Sequence, residues 1–172
     1  MFREDQRAQA HSIRRDESPT VARAQSLHGA LIEAGIETEL SEDINVTIWN
    51  KFVFLTGLSA MTALTGHPVG RLREDPDTRE LLEQIMNEAL RVAQASGVPI
   101  RDAVVAERLQ FIDGLPAQIR ASMAIDRAAG RQLELPWLSG AVVRKGTELG
   151  LPTPANRFVC QALKLDAMGV QH

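Results

Sequence analysis

Cysteine is almost absent from this chain of 172 residues: Cys160 stands alone, which excludes an intrachain disulfide and any cysteine cage for zinc. The four histidines, His11, His28, His67 and His172, are too scattered to form a metal pair on one helix, and no metal site is expected. Long apolar runs are also missing. Stretches such as Phe52 to Leu55 are far too short for a bilayer, so no membrane span is expected. Met1 is followed by Arg3, Glu4, Asp5 and Arg7 without an apolar segment, so no secretory leader of the usual kind is expected and the cytoplasm is the expected location. An excess of positive charge is lacking as well. The formal net charge is -3, and no basic stripe with interleaved aromatics is visible, so nucleic acid is not an expected partner.

The signatures of cofactor and nucleophile chemistry are missing in the same way. None of the 12 glycines has another glycine two residues away, so the chain carries no glycine-rich dinucleotide turn of its own. It has no phosphate loop, and no serine sits in a nucleophile-elbow sequence. Lysine is scarce too: of 19 basic residues only Lys51, Lys145 and Lys164 are lysines.

What remains is an ordinary globular composition, 44% hydrophobic and 24% charged, enough for one domain, or one domain plus a fragment. Residues 1–17 are polar and without a period, which predicts a loose segment. Ser18-Pro19 opens a helix with Val21, Ala24, Leu27, Leu31 and Ala34 at helical spacing, and Gly35 closes it. Ile36 to Leu40 alternates apolar and polar, as a short strand would. From Ser41 the spacing of Ile44, Ile48, Phe52, Leu55 and Leu58 predicts a helix to about Leu64. Trp49, Phe54 and Met61 make it apolar nearly all round, as expected in the middle of a bundle. Asp75-Pro76 starts a further helix, stopped by Gly97 and Pro99. Helices are expected at 102–112, 116–129, 137–149 and from Pro154 to about Ala167. The architecture expected is all-α from residue 41 to 172, with 1–40 a flexible segment plus a helix and strand.

Two groups of residues invite chemistry. Lys51 follows Trp49 on the apolar helix, beside Phe52, Phe54 and Leu55. One reading is an ammonium that snorkels to water or forms a structural ion pair. The other is an ammonium facing a substrate cleft, where partial desolvation makes it a better proton donor. The second group is Ser122-Met123, Asp126, Gly130-Arg131 and Leu133-Glu134-Leu135. A fold-back at Gly130 would bring the Ser122 hydroxyl and the Glu134 carboxylate into one site; alternatively, Glu134 caps the helix starting near Pro136 or pairs with an arginine.

On these two groups the sequence resembles the C-terminal domain of the ketopantoate reductase (2-dehydropantoate 2-reductase) family. Trp49-Asn50-Lys51 with Thr62-Ala63-Leu64 is similar to that family's lysine-bearing helix. Ser122-Met123, Asp126, Gly130-Arg131 and Glu134 follow its second motif, and Gly140, Gly150, Pro152-Thr153-Pro154 and Asn156 fit its last two helices. The resemblance implies a helical bundle of the 6-phosphogluconate dehydrogenase C-terminal-like type, with residues before Ser41 as a helix-strand remnant of a Rossmann domain. It implies Lys51 as proton donor to a 2-oxo acid, Ser59 and Ser122 as substrate-binding residues, and Glu134 on the cofactor side. NADP(H) is expected only together with a Rossmann domain that is not within this sequence, and a homodimer or a partner Rossmann domain is expected. The best-known members carry asparagines four and eight residues after the lysine, where this sequence has Leu55 and Ser59. The alternative is a non-catalytic helical dimerisation module derived from such an enzyme.

Overall fold

The computed structural model describes residues 19–169; the segment expected to be loose, 1–17, lies outside the described residues. The chain divides into two compact units, one ending at Glu42 and the other beginning at Asp43. In the first, α1 spans Pro19–Glu33. It ends as the sequence suggests: Gly35 takes φ 75°, and Ile36 N–H donates to Leu31 O at 2.9 Å, closing the last turn with a left-handed residue. The strand expected at 36–40 is not formed. A strand needs a neighbour for its N–H and C=O groups, and no strand exists among the described residues. The segment instead places Thr38 O 3.1 Å from His28 Nε2.

The second unit is built from α2 (Ile44–Thr65), α3 (Val69–Glu74), α4 (Pro76–Ala95), α5 (Val104–Gly114), α6 (Ser122–Ala128), α7 (Ser139–Glu148) and α8 (Pro154–Ala162). Asp43 caps α2, its carboxylate accepting from the N–H groups of Asn45 at 2.9 Å and Val46 at 3.3 Å, which satisfies two of the donors that an open helix end leaves bare. Asp75 does the same for α4 through Thr78 N at 2.9 Å, with Pro76 in the first turn, where its missing N–H costs nothing.

α4 is the central element and packs against α2, α3, α5, α7 and α8. Its buried residues Leu82, Ile85, Met86, Ala89, Val92 and Ala93 recur at three and four, one broad face of a 3.6-residue helix. They meet Val53, Leu58 and Met61 of α2 in the core. Gly57 lets the two helices close on each other, since a Cβ there would lie 2.5 Å from Met86 Cγ.

α2 is buried all round only from Thr56 to Ala63. Its first turns are not in the middle of the bundle, for Ile44 is 59% and Ile48 57% exposed; apolar content can be read along a chain, but how much of it the neighbouring elements cover cannot.

One helix starts late because its first residues serve another. α3 is only six residues long and has no capping side chain. Its leading N–H groups are satisfied from afar: Val69 N–H donates to Ile119 O at 2.8 Å and Gly70 N–H to Ala117 O at 2.9 Å. The segment after Pro116, expected to be helical, forms a turn that offers those carbonyls, and helix begins only at Ser122. The expected helix from 137 starts at Ser139, and the last one ends at Ala162, followed by turns to Met168.

Candidate functional site

The apolar helix α2 carries the candidate residues on one side. Lys51, Leu55, Ser59 and Thr62 recur at four, four and three residues, so they form a single stripe along it. Lys51 is exposed, Leu55 half-buried and Ser59 buried at 3% exposure. The desolvation expected around Lys51 is therefore not supplied by the described residues, because the stripe sinks into the core only below it. Nor is Lys51 a structural ion-pair partner: the pairs among the described residues are Arg79–Asp113, Arg101–Glu107, Arg127–Asp166 and Arg131–Asp126. Beside it, the Trp49 and Phe52 rings meet edge to face at 5.1 Å, fixing an apolar flank.

Thr62 joins the two sequence groups. Its hydroxyl donates to Leu58 O at 2.7 Å and accepts from Ala121 N–H at 3.3 Å, which seats the start of α6, and with it Ser122, against α2. Arg127 fixes the other end of α6, donating to Ala63 O at 2.6 Å and Leu64 O at 3.3 Å while its Nε meets Asp166 at 2.7 Å. These are the last carbonyls of α2, groups without helical partners that a basic side chain satisfies well. Ser122 is exposed.

Asp126 does not serve Ser122. Arg131 claims it: Gly130 turns left-handed at φ 66°, Arg131 N–H donates to Asp126 O at 2.8 Å, and Arg131 Nε to Asp126 Oδ1 at 2.7 Å. Glu134 then lies between Leu133 and Leu135, both nearly fully buried, so the residue between them is turned outward and is exposed. Neither structural alternative for its side chain is seen. Trp137 N–H and Leu138 N–H bond the backbone O of Glu134, at 2.9 and 3.1 Å, not its carboxylate, and no arginine among the described residues pairs with it. The structure thus gathers Ser59 and Ser122 around Thr62, sets Lys51 about three turns up the same stripe, and leaves Glu134 as an open acceptor.

Sequence reasoning missed one buried charge. Glu88 of α4 is 2% exposed and accepts from Ala155 N at 2.8 Å, Asn156 N at 2.9 Å and Asn156 Nδ2 at 2.7 Å. Its carboxylate caps the open N-terminus of α8 from another helix, a placement that both the bare N–H groups and the helix dipole favour. The only signal was a glutamate on the apolar face of α4. Cys160 is half-buried, and burial raises its thiol above the ordinary range, which makes it a poor nucleophile.

Residues 43–167 match the family model for the ketopantoate reductase PanE/ApbA C terminal. The chain belongs to the ketopantoate reductase family. It is 32% identical over 144 residues to the 2-dehydropantoate 2-reductase of Halobacterium salinarum, a match covering 84% of this chain and 47% of that one. With the enzyme of the same name from Pyrobaculum aerophilum it shares 30% over 164 residues, 95% of this chain and 58% of that one. Among solved structures, a ketopantoate reductase of the PanE/ApbA family from Ralstonia eutropha aligns with a TM-score of 0.76 at 30% identity, covering 83% and 48% of the two chains. The dimeric ketopantoate reductase from Staphylococcus aureus aligns at 0.78 with 25% identity, covering 85% and 51%. The chain spans about half the length of the curated relatives it matches, and within them it corresponds to the C-terminal, helical domain of a ketopantoate reductase.

Proposed function

We propose that this chain supplies the substrate-binding half of a reductase that converts a 2-oxo acid to the 2-hydroxy acid with NADPH. The observation that carries this reading is Lys51, an exposed ammonium without an ion-pair partner among the described residues, on the helix whose family match spans 43–167. Reduction of a carbonyl builds negative charge on its oxygen, and a positioned ammonium both stabilises that charge and delivers the proton. The hydroxyl of Ser122 binds the substrate, with Ser59 lower on the stripe. The bound cofactor supplies hydride. Glu134, an acceptor only, suits the ribose hydroxyls on the nicotinamide side. The sequence carries no glycine-rich turn to cradle the phosphates, so the dinucleotide needs a second domain. That domain would also cover Lys51 and, by excluding water, strengthen the attraction between its charge and the substrate oxygen.

The test is to join the chain to the dinucleotide-binding domain of a relative and to follow NADPH oxidation with a panel of 2-oxo acids. Turnover that falls sharply in Lys51→Ala supports the assignment; an unchanged rate in that variant overturns it. The exposed Ile44 and Ile48 favour a second reading, a helical module that dimerises without catalysis. In that case the joined protein turns over none of the 2-oxo acids, while sedimentation gives a dimer.

A further inference from the structure

Glu134 sits in a stretch, 131–134, that belongs to no helix, so helix geometry does not fix its place. The turns that follow α8 hold this stretch at three points. Leu133 is 1% exposed, and its buried N–H, a donor that must find an acceptor, bonds Ala167 O at 3.0 Å. Gly169 lies against the backbone of the same stretch, where a Cβ would come 2.6 Å from Gly130 O and 2.9 Å from Arg131 C. Asp166 is the third point, its carboxylate accepting from Arg127 Nε–H at 2.7 Å.

Arg127 ties these turns to the helix of Lys51. The guanidinium that holds Asp166 also donates to Ala63 O and Leu64 O at the end of α2, and Ala63 lies about 18 Å from Lys51 at 1.5 Å per residue along that one helix. A continuous path therefore runs from α2 through Arg127 and Asp166 to Ala167, across the hydrogen bond to Leu133, and on to Glu134. Every link in it is a hydrogen bond or a peptide step. The ion pair itself contributes little to stability, for its side chains are 36% and 43% exposed and water screens them. We infer that Asp166 is a positioning residue: through Arg127 and the Ala167 carbonyl it holds the Glu134 carboxylate at a set place relative to Lys51, where it accepts from the cofactor's ribose hydroxyls. This rests on the reading of Glu134 above.

Two measurements test it. In the 172-residue chain, Asp166→Ala should speed amide exchange at Leu133 by about 2- to 5-fold, the worth of a screened ion pair expressed as local opening, with an unfolding midpoint near the parent's. In the joined enzyme, Asp166→Ala should raise KM for NADPH by a similar factor with kcat unchanged, since the weakened contact holds the cofactor equally before and during hydride transfer. A merely structural residue would instead lower kcat through loss of active protein and leave KM where it was. Glu134→Ala should raise the same KM, and Asp166→Ala added to it should change nothing more, because both act on one contact. Unmoved Leu133 exchange, an unmoved KM in Asp166→Ala, or full additivity with Glu134→Ala each overturn the inference while leaving Glu134 in its role. If Glu134→Ala leaves KM for NADPH unchanged, or the joined parent oxidises no NADPH, the reading of the site fails and the inference falls with it.

Discussion

Single side chains divide here into those that act and those that hold. Lys51 is exposed and has no ion-pair partner among the described residues, so its removal should cost activity and not stability. In the joined enzyme Lys51→Ala should lower kcat/KM by about 10²- to 10⁴-fold, the usual worth of a positioned proton donor, with an unfolding midpoint equal to the parent's. Lys51→Arg should restore little, since a guanidinium keeps its proton at any working pH. Steady-state kinetics beside urea unfolding would separate the two effects. Glu88 is the converse. Its carboxylate takes three hydrogen bonds at the start of α8, and Glu88→Gln should cost about 2 kcal/mol, the scale of a buried hydrogen-bond set to a charged group. Lys51 was legible in the sequence because lysine is rare here and the helix around it is apolar. Glu88 was not, since its three donors come from residues far along the chain.

Elements owe their ends to both local and distant groups, and the two kinds should respond differently to mutation. Asp43 acts locally on α2; Asp43→Ala should cost about 1 kcal/mol, as lost N-caps do. α3 depends on distance. A Cβ at Gly70 would lie 2.6 Å from that of Ala117 and 3.0 Å from its backbone, and backbone cannot step aside. Gly70→Ala should therefore destabilise by about 1–3 kcal/mol, in the range of overpacked sites, and thermal unfolding would show it. The join between α4 and the end of α5 is electrostatic. Arg79 grips Asp113 with two bonds, 2.6 and 2.8 Å, and chiefly through that hydrogen bonding holds the Asp113 carboxyl below its ordinary value. A carboxylate depressed in the folded state stabilises above its unfolded pKa and loses that contribution as pH falls through the folded one. Asp113→Asn should thus be less stable than the parent at neutral pH, by only about 0.5 kcal/mol because the pair is solvent-screened. The gap should begin to narrow as pH falls through the ordinary aspartate range and close as it passes the lowered folded value. Urea melts at several pH values would test the sign.

At the scale of the whole molecule, the buried apolar residues among those described run from Val53 to Ala167, all within the unit that begins at Asp43. A fragment starting at Asp43 should accordingly show its own cooperative thermal transition; a broad, gradual melt would contradict this. What the sequence determined by itself were the features set within a few residues: the helical periods of α2 and α4, the Gly35 and Gly130 turns, the proline starts of α4 and α8, and the motif spacing that points to the family. These depend on backbone sterics and on the 3.6-residue repeat, which act along the chain. Tertiary structure alone decided the rest. It left 36–40 without a strand, because a strand exists only beside another. It turned 116–119 into the carbonyl cap of α3, because bare N–H groups of one segment were met by another. It placed Lys51 in the open and Ser59 under cover on the same stripe, because periodicity gives a residue its direction on the helix and only the neighbouring elements determine whether that direction ends in water.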